Sequence, residues 1–102
     1  MSISVGGLNF DGPYSSSDSL RHQAGVYAIL DRRTDVDYLI DVGESKNVRN
    51  RVDNHDRKPC WQMNCRGSFM VAVFYTPGLN EADRVAIEQE IRRQYNLPCG
   101  ER

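Results

Sequence analysis

Apolar and polar positions alternate along this chain in segments of distinct period. From Gly25, the run Gly25-Val26-Tyr27-Ala28-Ile29-Leu30 is short, apolar and followed by the polar string at residues 31–35, which predicts a buried strand and a loop. In Tyr38-Leu39-Ile40-Asp41-Val42-Gly43 a two-residue period predicts a second strand, with Tyr38, Ile40 and Val42 on one face and Leu39 and Asp41 on the other. The short spacing between these strands favours an antiparallel hairpin. Val48 and Val52 then stand four residues apart, so a helix is expected from an N-cap at Ser45 to about residue 56, with Arg51 and His55 beside the valines. Phe69-Met70-Val71-Ala72-Val73-Phe74-Tyr75 predicts the best-buried strand, ended by the turn signal Thr76-Pro77-Gly78. Asn80 caps a last helix to about Tyr95, in which Ile87, Ile91 and Tyr95 recur every four residues before Pro98 and Gly100 bar continuation.

The element order is β-β-α-β-α, and the expected fold class is α/β: a small three-stranded antiparallel sheet flanked by helices. Residues 1–23 are rich in Gly, Ser and Asp and read as a leader or edge segment, leaving 24–102 as the domain proper. At 102 residues there is room for one core and not for two.

Composition narrows the function classes. Thirteen Lys and Arg against fourteen Asp and Glu give a net charge of −1, too little positive excess for coating nucleic acid non-specifically, so any such contact must be local. Residues 46–58 supply one local excess, with Lys46, Arg49, Arg51, Arg57 and Lys58 facing only Asp53 and Asp56. No apolar run approaches membrane-spanning length and the first residues lack a secretory pattern, so no membrane contact and a cytoplasmic location are expected. Three cysteines, Cys60, Cys65 and Cys99, then read as free thiols, and Cys60 and Cys65 lack the second ligand pair of a zinc site.

Several short motifs, taken in order, resemble the GIY-YIG nuclease superfamily. Gly25-Val26-Tyr27 looks like its first motif, and Asp41-Val42-Gly43 stands where the second belongs. Arg51, eight residues beyond Gly43, matches the family's arginine, and His55 falls one helical turn further on, where the family often has His or Tyr. Glu88, in Ala86-Ile87-Glu88-Gln89-Glu90, matches its glutamate. The resemblance covers residues 24–98 and departs from the pattern at Asp41, a carboxylate in place of the second motif's tyrosine.

The resemblance implies a divalent-metal-dependent endonuclease that hydrolyses DNA phosphodiester bonds. Tyr27 would be the base or the group orienting the nucleophile, helped by His55 or Lys46. Arg51 would hold phosphate oxygens in its planar fork, and Glu88 would hold one hard ion, Mg²⁺ or Mn²⁺. Asp41 would add a second carboxylate to the metal or accept a hydrogen bond from Tyr27. A protein partner that supplies the substrate fits the lack of an appended DNA-binding module. The rival reading is a catalytically impaired module of the same fold that binds nucleic acid or protein without cutting. Each residue also has a plainer explanation: a packing tyrosine, helix-surface ion pairs for Arg51 and Glu88, a satisfied histidine.

Overall fold

The computed structural model describes residues 1–100. In chain order the elements are β1 (Ser2–Val5), β2 (Leu8–Tyr14), a 3₁₀ turn (Ser17–Ser19), β3 (Gly25–Arg33), β4 (Val36–Ser45), α1 (Val48–Asp53), α2 (Lys58–Asn64), β5 (Ser68–Tyr75) and α3 (Glu81–Gln94). The strands form one antiparallel sheet in the order β1-β2-β5-β3-β4. The fold is thus mixed α/β, but the sheet has five strands where three were expected. The extra two come from the amino-terminal segment, whose β1–β2 hairpin pairs with β5 through β2. Val5 and Phe10 from that hairpin are buried in the core, so these residues extend the sheet.

β3 lies between β5 and β4, and its apolar run is explained by burial on both faces. On one face Tyr27, Ile29, Val71 and Val73 pack with Val48 and Val52 of α1 and Trp61 of α2. On the other, Val26, Ala28, Leu30 and Ala72 pack with Val5, Phe10 and Ile91 of α3. Each fully buried side chain of this size stabilises the fold by about 1.5–3 kcal/mol.

Two local expectations change. The helix expected to start at Ser45 starts at Val48, because the Asn47 side chain accepts from the Asn50 N–H while the Ser45 hydroxyl bonds Asn47. It also ends early, and a separate helix, α2, follows with Pro59 in its first turn, where the missing N–H costs nothing. The last helix begins as expected at Asn80, in a reciprocal capping box with Asp83.

The thiol expectation is also corrected: Cys60 and Cys99 form a disulfide that ties α2 to the segment after α3, and Cys65 alone is free. No helix among the described residues is long and apolar enough to cross a membrane.

Candidate functional site

The site begins with a fault in the β3–β4 pairing. Ile29 pairs with Asp41 and Leu30 with Leu39, so Ile40 is an extra residue in β4. Such a bulge turns two consecutive side chains to one face. Ile40 therefore joins Tyr27 and Ile29 in one core while Leu39 and Val42 pack into the other, against the expected grouping of Ile40 with Val42. The same shift sets Asp41 opposite Ile29, diagonal to Tyr27.

Asp41 is fully buried, and both its oxygens are taken. Oδ1 accepts from the Val42 N–H at 2.8 Å and Arg92 Nη2 at 2.9 Å, and Oδ2 accepts from Arg57 Nε and Trp61 Nε1, each at 2.8 Å. Four donors saturate a carboxylate. Asp41 therefore has no lone pair left for a metal ion or for the Tyr27 hydroxyl, the two roles foreseen for it. It is the hub that holds two arginines and the tryptophan in place.

Tyr27 pairs with Gly43, and its ring lies over that residue. A Cβ there would collide with Oη and Cζ, so only glycine leaves room. Tyr27 is 1 % exposed. Burial, ahead of any neighbour, pushes the phenol up to about 12. The charges of Arg57 and Arg51 draw it down, and those of Asp41 and Glu88 push it further up. Charged groups from β4, α3 and the α1–α2 segment thus act on one hydroxyl.

His55 stands between two aromatic rings, 5.8 Å from Tyr27 in an edge-on arrangement and 4.7 Å from Trp61. Its Nδ1 lies 3.0 Å from the Arg57 N–H and 3.2 Å from Asp56 Oδ1. The backbone group can only donate, so Nδ1 is the acceptor and Nε2 carries the proton. Burial and then the charges of Arg57 and Arg51 lower its pKa to about 4, outweighing Asp56 and Asp41. Nε2 is buried without a partner. This imidazole is a neutral donor and cannot relieve Tyr27 of its proton, the helper role foreseen for it.

Arg51 projects from α1, 40 % exposed, with Nη2 3.1 Å from Asp56 Oδ1. Arg57 was not singled out by its pattern, yet its charge acts most strongly on the Tyr27 phenol. Asp41 holds it through Nε. Desolvation works against its charge, and the bond to Asp41 together with the charges of Asp41, Tyr27 and Asp56 more than restores it. Lys46 is exposed.

On α3, Arg84, Glu88 and Arg92 follow at four-residue intervals and line the edge of β4. Arg84 Nε bonds Glu44 at 2.9 Å, Arg92 Nε bonds Glu88 Oε2 at 3.1 Å, and Arg92 Nη2 also donates to the Val42 carbonyl. The side chains cover the open edge of the sheet with charged donors. Glu88 meets Arg92 through Oε2, and a single carboxylate is the kind of ligand that Mg²⁺, which retains most of its waters, takes from protein. Among the described residues no three His, Cys, Asp or Glu side chains come together as a ready-made cage.

Tyr27, Arg51, His55, Asp41 and Glu88 are thus brought to one region, and Arg57, Arg92, Trp61 and Gly43 join them. Compared with protein-family models, curated proteins and solved structures, the chain finds no match in any of the three.

Proposed function

We propose that the chain is a divalent-metal-dependent, endonuclease-like protein that acts on DNA phosphodiester bonds, on the GIY-YIG pattern its motifs resemble. The observation that carries this reading is the Tyr27 hydroxyl, on which the charges of Arg57, Arg51 and Glu88 act together. Arg57 and Arg51 bind the two non-bridging phosphate oxygens and balance the charge that develops on them. Tyr27 stays protonated at neutral pH and orients the attacking water by hydrogen bonding. Asp41 positions Arg57 without touching the substrate. Glu88 holds the ion, which supplies Lewis-acid charge when bound. A partner that delivers DNA compensates for the modest local charge.

Purified protein incubated with supercoiled, branched and single-stranded DNA in Mg²⁺ or Mn²⁺ tests the reading, beside Arg51→Ala and Glu88→Ala. Each variant should cut at least about 100-fold more slowly, the usual cost of losing a charge-stabilising group. Activity that persists in both would place the chemistry elsewhere.

A second reading, a module that binds phosphodiesters without cutting them, is favoured by the saturation of Asp41 and by the high phenol pKa. It expects salt-dependent DNA affinity and no cleavage in either metal.

A further inference from the structure

The segment after α3 lies over the buried Asp41 carboxylate. A Cβ on Gly100 would stand 2.7 Å from Asp41 Oδ1, so the Gly100 backbone, itself exposed, rests directly on the Asp41–Arg92 pair. Cys99, just before it, donates its N–H to the Ile40 carbonyl at 3.2 Å and accepts from Arg92 Nη1 at 3.3 Å. Hydrogen bonds of this kind contribute about 1 kcal/mol each, whereas the Cys60–Cys99 bond ties the segment covalently to α2. Trp61 lies on α2 and Arg57 is its N-cap, so the disulfide joins the cover over Asp41 to the element that supplies two of its donors.

The bond is placed for thiol exchange. Cys60 is partly exposed while Cys99 is buried, so an incoming thiolate has its approach at Cys60. The Asn64 side-chain amide lies 3.5 Å from Cys60 Sγ and 3.6 Å from Cys99 Sγ, where it donates toward whichever sulfur leaves with negative charge. A dithiol reduces such a bond in two steps. Its first thiolate attacks Cys60 Sγ and expels Cys99 as a thiolate, and its second attacks the mixed disulfide and expels Cys60. Two electrons pass to the protein, the dithiol closes to a cyclic disulfide, and its two protons end on the cysteine sulfurs.

We propose that Cys60–Cys99 is a redox latch on the Asp41 hub: oxidised, it holds residues 98–100 over the carboxylate and keeps Arg57 in place, and reduction by a dithiol lets the segment lift and loosens Arg57. Water reaching Asp41 weakens its hold, because charge-assisted bonds lose strength as the local dielectric rises. Leu97 packs into the core on the other face of the sheet, which confines the movement to the residues after it. The consequence for DNA rests on the phosphodiester reading above, with Arg57 at the phosphate; the opening itself does not.

The full chain is compared oxidised, after reduction with dithiothreitol, and after reoxidation with the cyclic disulfide of the same reagent. Reduction should speed exchange of the Arg57 Nε proton with water about tenfold or more, read by NMR, while the amide resonances of Val71 and Val73 in β5 keep their positions. Affinity for branched DNA, in EDTA so that nothing is cut, should fall about tenfold, and reoxidation should restore both. Cys60→Ser should stay in the open state whatever the reductant. Unchanged Arg57 exchange on reduction, or a Cys60→Ser chain that behaves as the oxidised wild type, overturns the latch. Loss of the β5 resonances on reduction overturns it too, since the disulfide is then a staple for the whole fold. Reversible opening with no DNA binding in either state bears out the latch and overturns the phosphodiester reading alone.

Discussion

The Tyr27 ring occupies the space in which any side chain at Gly43 would have to sit, across the β3–β4 pair. Gly43→Ala should therefore displace the ring, cost about 1–3 kcal/mol by overpacking and abolish any function of the hydroxyl. Thermal unfolding and DNA binding measure the two effects. Tyr27→Phe should not rescue the alanine variant, because Cζ and Cε1 crowd the new methyl as well, Cε1 at 2.9 Å. A fully stable Gly43→Ala protein would show that the ring has another place to go.

Asp41→Asn keeps the shape and removes the charge that two arginines share. Breaking a buried ion pair from one side costs about 3–5 kcal/mol. In a chain of this size that lowers Tm by at least about 12 °C. The loss should appear in calorimetry whether or not the protein cuts DNA. A variant that melts with the wild type would mean that Arg57 and Arg92 find their counter-charge elsewhere.

His55 stays neutral in the folded chain down to about pH 4, whereas its ordinary value is 6.5. Between those limits the unfolded chain binds the proton and the folded one does not. Stability is therefore unaffected by this group above pH 6.5, falls as pH drops from 6.5 to 4, and levels off below, by up to about 3 kcal/mol in all. His55→Gln should remove that component, so the wild-type and variant Tm curves should converge or cross on acidification. Parallel curves from pH 7 to 4.5 would disprove it.

Arg57→Lys retains a positive charge but gives up the fixed fork held by Asp41. On the proposed reading Arg57→Ala removes one phosphate contact as well, and the plot of log affinity for DNA against log salt should become shallower by about 1. An unchanged slope would remove Arg57 from the proposed phosphate site.

Reducing the Cys60–Cys99 bond, which spans 39 residues, should cost about 4 kcal/mol on the loop-closure model. The segment after α3 holds the Cys99 carbonyl against Arg92 Nη1 and the Cys99 N–H against Ile40. Dithiothreitol should lower Tm and speed amide exchange at Cys99 in particular. Equal Tm with and without reductant would show that packing alone holds this segment.

The sequence by itself determined the elements whose signals are local. Strands β3, β4 and β5, the Val48 and Val52 stripe and the Asn80 cap follow from side-chain period and capping chemistry, which need only neighbours in the chain. Tyr27, Arg51, His55, Asp41 and Glu88 were legible as candidates through their order and spacing. Only the tertiary structure decided what they touch. The bulge at Ile40 reverses the face of every residue before it, and an even alternation of apolar residues carries no trace of a single insertion. Arg84 and Arg92 look like solvated helix residues until the edge of β4 and Asp41 give them partners. Arg57 enters the site because a carboxylate sixteen residues earlier holds it, and Cys60 finds Cys99 across 39 residues for the same kind of reason. Pairings between distant charges and thiols depend on where the backbone brings them, and that is a property of the packed sheet and its helices.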